Sequence, residues 1–140
     1  MRAKRVEFGR LMSAGAFVAC LGACLGACQA APPRTVVVRL EGNEFRPAHV
    51  EVRAGDSVRF VNGNGGPHNV MFVADSMAPA PRTALEGAMK GEKIGPLSSP
   101  LLLDDGEAYA FVVPDIPAGR YPLVCLPHQA QMRASLMVSR

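Results

Sequence analysis

The sequence predicts an all-β fold: a Greek-key antiparallel β-sandwich or barrel of about seven or eight strands. Three observations predict it. Short β-rich or alternating segments recur through about 105 residues, from Thr35 onward. Gly, Pro, Asn and Asp clusters punctuate them at short intervals. No GxGxxG, P-loop or G-x-S-x-G element of an α/β fold is present.

The elements follow in order. Thr35-Val36-Val37-Val38-Arg39-Leu40 is rich in β-branched residues and opens the domain. Val50 to Arg53 alternates apolar and charged residues. Ala54-Gly55-Asp56 turns the chain. Ser57 to Val61 alternates again, with Val58 and Phe60 on one face. Asn62-Gly63-Asn64-Gly65-Gly66-Pro67 reads as a loop, and Asn69 to Val73 resumes as strand. Residues 74–100 are rich in Ala, Pro, Gly and Ser and form an irregular, partly helical insertion, with one or two helical turns expected within Thr83–Lys90. Order returns at Leu101-Leu102-Leu103, before a turn at Asp104-Asp105-Gly106. Tyr109 to Val113 is a strand, Pro117-Ala118-Gly119 a turn, and Arg120 to Val124 a strand that ends at Cys125. Ala134 to Val138 closes the domain. A domain of this size buries roughly two thirds of its unfolded surface, enough to fold without a disulfide.

The N-terminal part differs in kind. Met1 to Arg10 carries Arg2, Lys4, Arg5 and Arg10 against one acid, Glu7. Leu11 to Ala27 has no charge. A basic start followed by a short apolar run is the pattern of a secretory signal peptide. A spanning helix needs about 20 apolar residues, and this run is shorter and interrupted by Gly. It ends in a repeat, Leu21-Gly22-Ala23-Cys24 followed by Leu25-Gly26-Ala27-Cys28. Both copies resemble the bacterial lipobox, whose Cys is lipidated after cleavage before it. Cys28 is the preferred site, because cutting there also removes Cys20 and Cys24; Cys24 is the alternative. The expected organisation is a signal peptide at 1–28, a tether at 29–34 and a folded domain at 35–140. Two or more acyl chains anchor a domain stably where one is marginal.

Removal of that leader changes the charge balance. The chain is formally +3, with 15 basic and 12 acidic residues. Residues 1–28 hold four of the basic and one of the acidic residues, so eleven of each remain. A neutral domain without a basic, aromatic-rich stretch gives no reason to expect a nucleic-acid partner.

Four cysteines are present, and only Cys125 falls in the folded part. An exported chain favours paired cysteines. A lone thiol there needs to be buried or bound. Its neighbours supply the answer: Cys125-Leu126-Pro127-His128-Gln129-Ala130-Gln131-Met132 packs thiol, imidazole and thioether into eight residues. That combination selects copper over hard cations. Calcium and magnesium want clustered carboxylates, and structural zinc sites usually use more cysteines. Of the other two histidines, His68 follows the Gly-Gly-Pro loop at the mouth of a strand and is the candidate ligand; His49, at an ordinary strand start, reads as a surface residue. Two His, one Cys and a distant Met make the trigonal blue-copper set. Such a site reorganises little when an electron arrives or leaves.

The chain resembles the plastocyanin/azurin family of blue-copper proteins, the cupredoxins. The resemblance is carried by Gly55-Asp56-Ser57-Val58-Arg59-Phe60-Val61-Asn62, Pro67-His68-Asn69-Val70, Gly106-Glu107-Ala108-Tyr109, Gly119-Arg120-Tyr121 and Cys125-Leu126-Pro127-His128. It spans roughly Thr35 to Val138. It implies a cupredoxin-like fold, one copper ion cycling between Cu(I) and Cu(II), and His68, Cys125 and His128 as equatorial ligands. It also implies that Asn69 orders the loop around the sulfur. Met132 is the axial candidate. Three residues separate it from His128, one fewer than in plastocyanin-like loops and as in azurin-like ones. An amicyanin-like loop, one residue shorter again, would place Gln131 there instead. Val124 stands where plant plastocyanins carry a Tyr, and the acidic docking patch beside that Tyr has no evident counterpart.

The implied function is one-electron transfer in a bacterial cell envelope, not catalysis. The carrier would face the periplasm or the exterior as a lipoprotein, or be soluble in the periplasm. A monomer would exchange electrons with a redox protein such as a c-type cytochrome or a membrane electron-transfer complex. Its docking face would be small, formed by Leu126 and Pro127 beside His128. The rival reading is a copper chaperone, buffer or sensor built on the same residues. A multicopper oxidase or nitrite reductase needs additional histidine-rich centres, and three histidines cannot build one.

Overall fold

The computed structural model describes residues 31–64 and 66–140. The proposed signal segment, with Cys24 and Cys28, lies outside the described residues.

Among the described residues, eight strands form two four-stranded sheets. β1 (Thr35–Glu41), β2 (Glu44–Arg46), β4 (Ser57–Asn64) and β6 (Ala108–Val112) make the first, in the order β2-β1-β4-β6. β3 (His49–Arg53), β5 (Met71–Phe72), β7 (Gly119–Val124) and β8 (Arg133–Ser139) make the second, in the order β3-β8-β7-β5. The chain crosses between sheets after β2, β3, β4, β5 and β6, so the expected sandwich is present. Two pairings, β1 with β4 and β3 with β8, are parallel. Both follow from the crossings. Parallel neighbours cannot be joined by a hairpin, and here each pair is separated by excursions to the opposite sheet.

Alternation selects the inner faces. In β4, Val58, Phe60 and Asn62 are buried, and in β3, Val50 and Val52. Phe60 packs edge-on to Phe45 with ring centroids 6.3 Å apart. Phe111 of the first sheet meets Phe72 of the second edge-to-face at 5.9 Å, so aromatic contacts tie the layers together. The Tyr121 hydroxyl donates to the Pro117 carbonyl at 2.7 Å and pins the turn that enters β7.

The insertion is more ordered than its composition suggests. α1 runs Pro79–Ala88, longer and earlier than the one or two turns expected within Thr83–Lys90. Pro79 and Pro81 sit in its first turn, where no intrahelical N–H is required. Pro81 and Leu85 are buried, and Met89 just past the helix joins the core. The Glu86 carboxylate accepts the Leu97 N–H and a Lys93 ammonium contact, which closes the insertion on itself. Those bonds also hold the Glu86 carboxyl below its ordinary range, the Lys93 contact most of all. The returning chain then runs beside β5. Ser99 N–H donates to the Val70 carbonyl, and Leu102 exchanges both backbone hydrogen bonds with His68. Leu101–Leu103 is therefore an isolated bridge rather than a full strand.

Candidate metal centre

Three connections converge at one end of the sandwich. The loop after β4 delivers His68 and Asn69. The loop between β7 and β8 delivers Cys125, His128 and Met132. The chain returning from the insertion backs His68 through Leu102.

The β7–β8 loop is shaped by its own backbone. Cys125 N–H donates to the Met132 carbonyl at 3.1 Å, which closes the loop at its base. A 3₁₀ turn, Leu126–His128, opens with Leu126 and Pro127 and bends the chain back. His128 N–H then bonds the Cys125 carbonyl, and the N–H groups of Gln131 and Met132 both bond the His128 carbonyl. These bonds turn Cys125, His128 and Met132 into close neighbours. Met132 is 0 % exposed, whereas Gln131 faces solvent.

The ligand atoms meet. Cys125 Sγ lies 3.7 Å from His68 Nδ1 and 3.6 Å from His128 Nδ1, and all three atoms fall within 4.8 Å of one another. A shared ion predicts that spacing. Bonds of about 2.3 Å to a thiolate and about 2.0 Å to an imidazole, meeting between the tetrahedral and trigonal angles, set sulfur and nitrogen about 3.5–3.7 Å apart. The donor set of two imidazoles and one thiolate fits copper. It is the only such cluster of His, Cys and carboxylate side chains among the described residues.

The surroundings orient the donors. His68 Nε2 lies 3.0 Å from the Asn64 carbonyl, which can only accept, so Nε2 carries the proton and Nδ1 is left with its lone pair toward Cys125. Asn69 is 0 % exposed, and its Oδ1 accepts the Leu126 N–H at 2.7 Å, linking the two ligand loops. Burial pushes the Cys125 thiol up from its ordinary value; backbone N–H groups of Asn69 and His128 oppose that shift without cancelling it. Cys125 is unpaired and fully buried, as is His68, while His128 keeps part of its ring at the surface. His49 is exposed on β3, apart from the cluster.

The structure thus brings together His68, Cys125 and His128, with Asn69 and Met132 buried beside them in the same two loops. Sequence reasoning did not find the contributions of Asn64 and Leu102. Both act on His68 through backbone atoms, which leave no mark on residue identity.

A Greek-key sandwich with a His-Cys-His cluster at one end defines a small metal-binding β-domain. The family of copper binding proteins, plastocyanin/azurin family, matches residues 35–139, and the chain belongs to it. Its cofactor is one copper ion, and it is not an enzyme. The chain is 32 % identical over 129 residues to chloroplastic plastocyanin of Physcomitrium patens, covering 86 % of this chain and 68 % of that one. It is 34 % identical over 85 residues to chloroplastic plastocyanin of Fritillaria agrestis, covering 61 % of this chain and 45 % of that protein's length. Among solved structures, oxidized plastocyanin from Dryopteris crassirhizoma superposes with a TM-score of 0.57 at 25 % identity, over 74 % of this chain and all of that one. A reduced amicyanin mutant superposes with a TM-score of 0.52 at 25 % identity, over 79 % of this chain and 87 % of that one.

Proposed function

We propose that this chain is a blue-copper electron carrier of the cell envelope, in which His68, Cys125, His128 and Met132 would hold the copper. The observation that carries the proposal is the 3.6–3.7 Å spacing of Cys125 Sγ from two histidine Nδ1 atoms at a buried, unpaired cysteine. The burial of Met132 beside an exposed Gln131 favours Met132 over Gln131 as the fourth donor. When bound, copper supplies a one-electron couple between Cu(I) and Cu(II). The protein fixes the donors on short, internally bonded loops, so little moves when the charge changes.

His128 is the electron's exit. Its ring is partly exposed, and Leu126 and Pro127 beside it are exposed. Leu101 and Leu103 flank Leu102, the residue paired with His68, and are exposed at 38 % and 64 %. Exposed apolar residues beside His128 suit the small, transient encounters of electron transfer. The partner is a redox protein such as a c-type cytochrome or a membrane electron-transfer complex. The carrier acts as a monomer, exported by residues 1–28 and anchored by lipid at Cys28, with Cys24 as the alternative site.

The test begins with Cu(II) added to the soluble domain. An intense visible thiolate-to-copper band is expected, and Cys125→Ser abolishes it. Absence of the band in the parent domain sinks the proposal. Fast electron exchange with a c-type cytochrome supports the carrier. Slow exchange with rapid release of copper to a chelator would instead make the chain a copper chaperone or buffer. Acyl-chain labelling of the full chain, lost in Cys28→Ser, tests the anchor.

A further inference from the structure

Asn62 is a buried polar side chain, packed behind the His68 loop, that the copper reading does not use. It is 1 % exposed and is the last inward residue of β4. Its Nδ2 donates to two carbonyls, Leu102 at 3.2 Å and Asp104 at 3.1 Å. The Leu102 carbonyl is the same one that accepts the His68 N–H at 3.0 Å, while Leu102 N–H returns a bond to the His68 carbonyl at 2.8 Å. Asn62 also grips the following turn by its backbone: its N–H bonds Glu107, and its carbonyl accepts Gly106 N–H.

The other side of the amide faces the His68 loop. A Cβ added at Gly66 would lie 2.8 Å from Asn62 Nδ2 and 3.3 Å from the Leu102 carbonyl. The amide therefore fills the space between the loop that carries His68 and the segment that backs it. Glycine at position 66 is what admits it.

We infer that Asn62 is a positioning residue for His68, acting through the Leu102 carbonyl to fix where the imidazole meets Cys125. The inference rests on His68 being a copper ligand, and it concerns what holds that ligand in place. His68 has two supports. Its ring is set by the Asn64 carbonyl, two residues beyond Asn62 in the same strand. Its backbone is set by Leu102, and Asn62 fixes Leu102. Both supports originate in the end of β4. Loss of the amide loosens Leu102, and with it the backbone pairing that holds His68.

The experiment compares the parent domain, Asn62→Ser and a control, Val52→Ala, a buried β3 position in the other sheet. Hydrogen exchange at the His68 amide is measured first on the copper-free proteins. Asn62→Ser is expected to lower protection there at least tenfold more than the control does, because that amide's acceptor is the Leu102 carbonyl. Copper-loaded proteins are then mixed with a chelator. Asn62→Ser is expected to release copper at least tenfold faster than the control, with a shifted thiolate-to-copper band. Unchanged His68 protection, or equal changes in variant and control, overturns the inference. Should Asn62→Ser not fold, Asn62→Asp keeps the shape without the donors and is held to the same criteria. A parent domain that shows no blue band refutes the copper ligand set, whereas the exchange arm still reads the Asn62–Leu102–His68 linkage by itself.

Discussion

The Asn69 side chain joins the two ligand loops through one hydrogen bond, so Asn69→Ala isolates the value of that link. The lost bond, 2.7 Å from Leu126 N–H to Oδ1, contributes about 1 kcal/mol net, and stranding a buried donor adds about 1–3 kcal/mol. Leu126 is 39 % exposed, so water reaches the stranded N–H and the added cost falls at the low end. Asn69 Nδ2 is buried without a partner among the described residues, so its removal returns part of the loss. The copper-free domain is expected to lose about 1–2 kcal/mol. With a urea slope of about 1.5 kcal/mol/M, the midpoint falls by about 1 M. The copper form is expected to lose more. Side chains that orient metal ligands typically contribute 10–100-fold to affinity, about 1.4–2.8 kcal/mol of additional destabilisation when copper is saturating. Urea titration with and without copper separates the two effects. Equal losses in both forms would mean that Asn69 pins the fold without preparing the site. No loss in either would refute the value assigned to the bond.

Two further outcomes are expected. Met132→Gln lowers the reduction potential, read by spectroelectrochemistry, because the thioether is replaced by an oxygen donor that favours Cu(II); an unchanged potential would assign the axial place to Gln131 or to no residue. Asp56 accepts the backbone N–H groups of Arg34 and Arg53, both at 2.9 Å, and these bonds, with Arg34's the stronger influence, hold its carboxyl below the usual 3.8. A depressed carboxyl stabilises the fold above its unfolded value and loses that contribution as pH falls through the folded value. Urea midpoints should therefore drop as pH falls below about 4. Asp56→Asn, which keeps one acceptor oxygen, should lose about 1.5–3 kcal/mol at neutral pH and show a shallower acid slope. Identical slopes would remove Asp56 from the acid response.

How much of this was legible depends on whether information sat in side chains or in backbone. The Cys125–Met132 run was legible because its donors are close in sequence and chemically unusual together. His68 was legible from the glycine- and proline-rich loop before it. β2 was not read: it has three residues, with Phe45 alone buried between charged neighbours, too short for an alternation to register. The length of α1 was underestimated because Pro79 and Pro81 read as breakers, although a helix's first turn tolerates them. The parallel pairings were invisible, since strand order between sheets leaves no trace in local periodicity. Asn62 lay in plain view as a loop residue. Its role appears only when the turn forty residues later folds against it.

The same division explains why a domain proposed to be exported can keep one free cysteine. Burial raises the Cys125 thiol, and the N–H groups of Asn69 and His128 pull it down by less. A neutral, buried thiol is a poor nucleophile and resists oxidation. Those two N–H groups are too weak to ionise the sulfur alone, yet they already point at it, as do two imidazole nitrogens. The N–H groups suit a thiolate, and the imidazole lone pairs suit a sulfur that shares a cation with them. A bound copper would be held by the thiolate and both imidazoles, and its binding would be coupled to loss of the thiol proton. A core cysteine kept only for packing would need none of them, and an apolar residue of similar size would serve as well. The polar investment around Cys125 is what a copper thiolate requires and what an inert thiol does not.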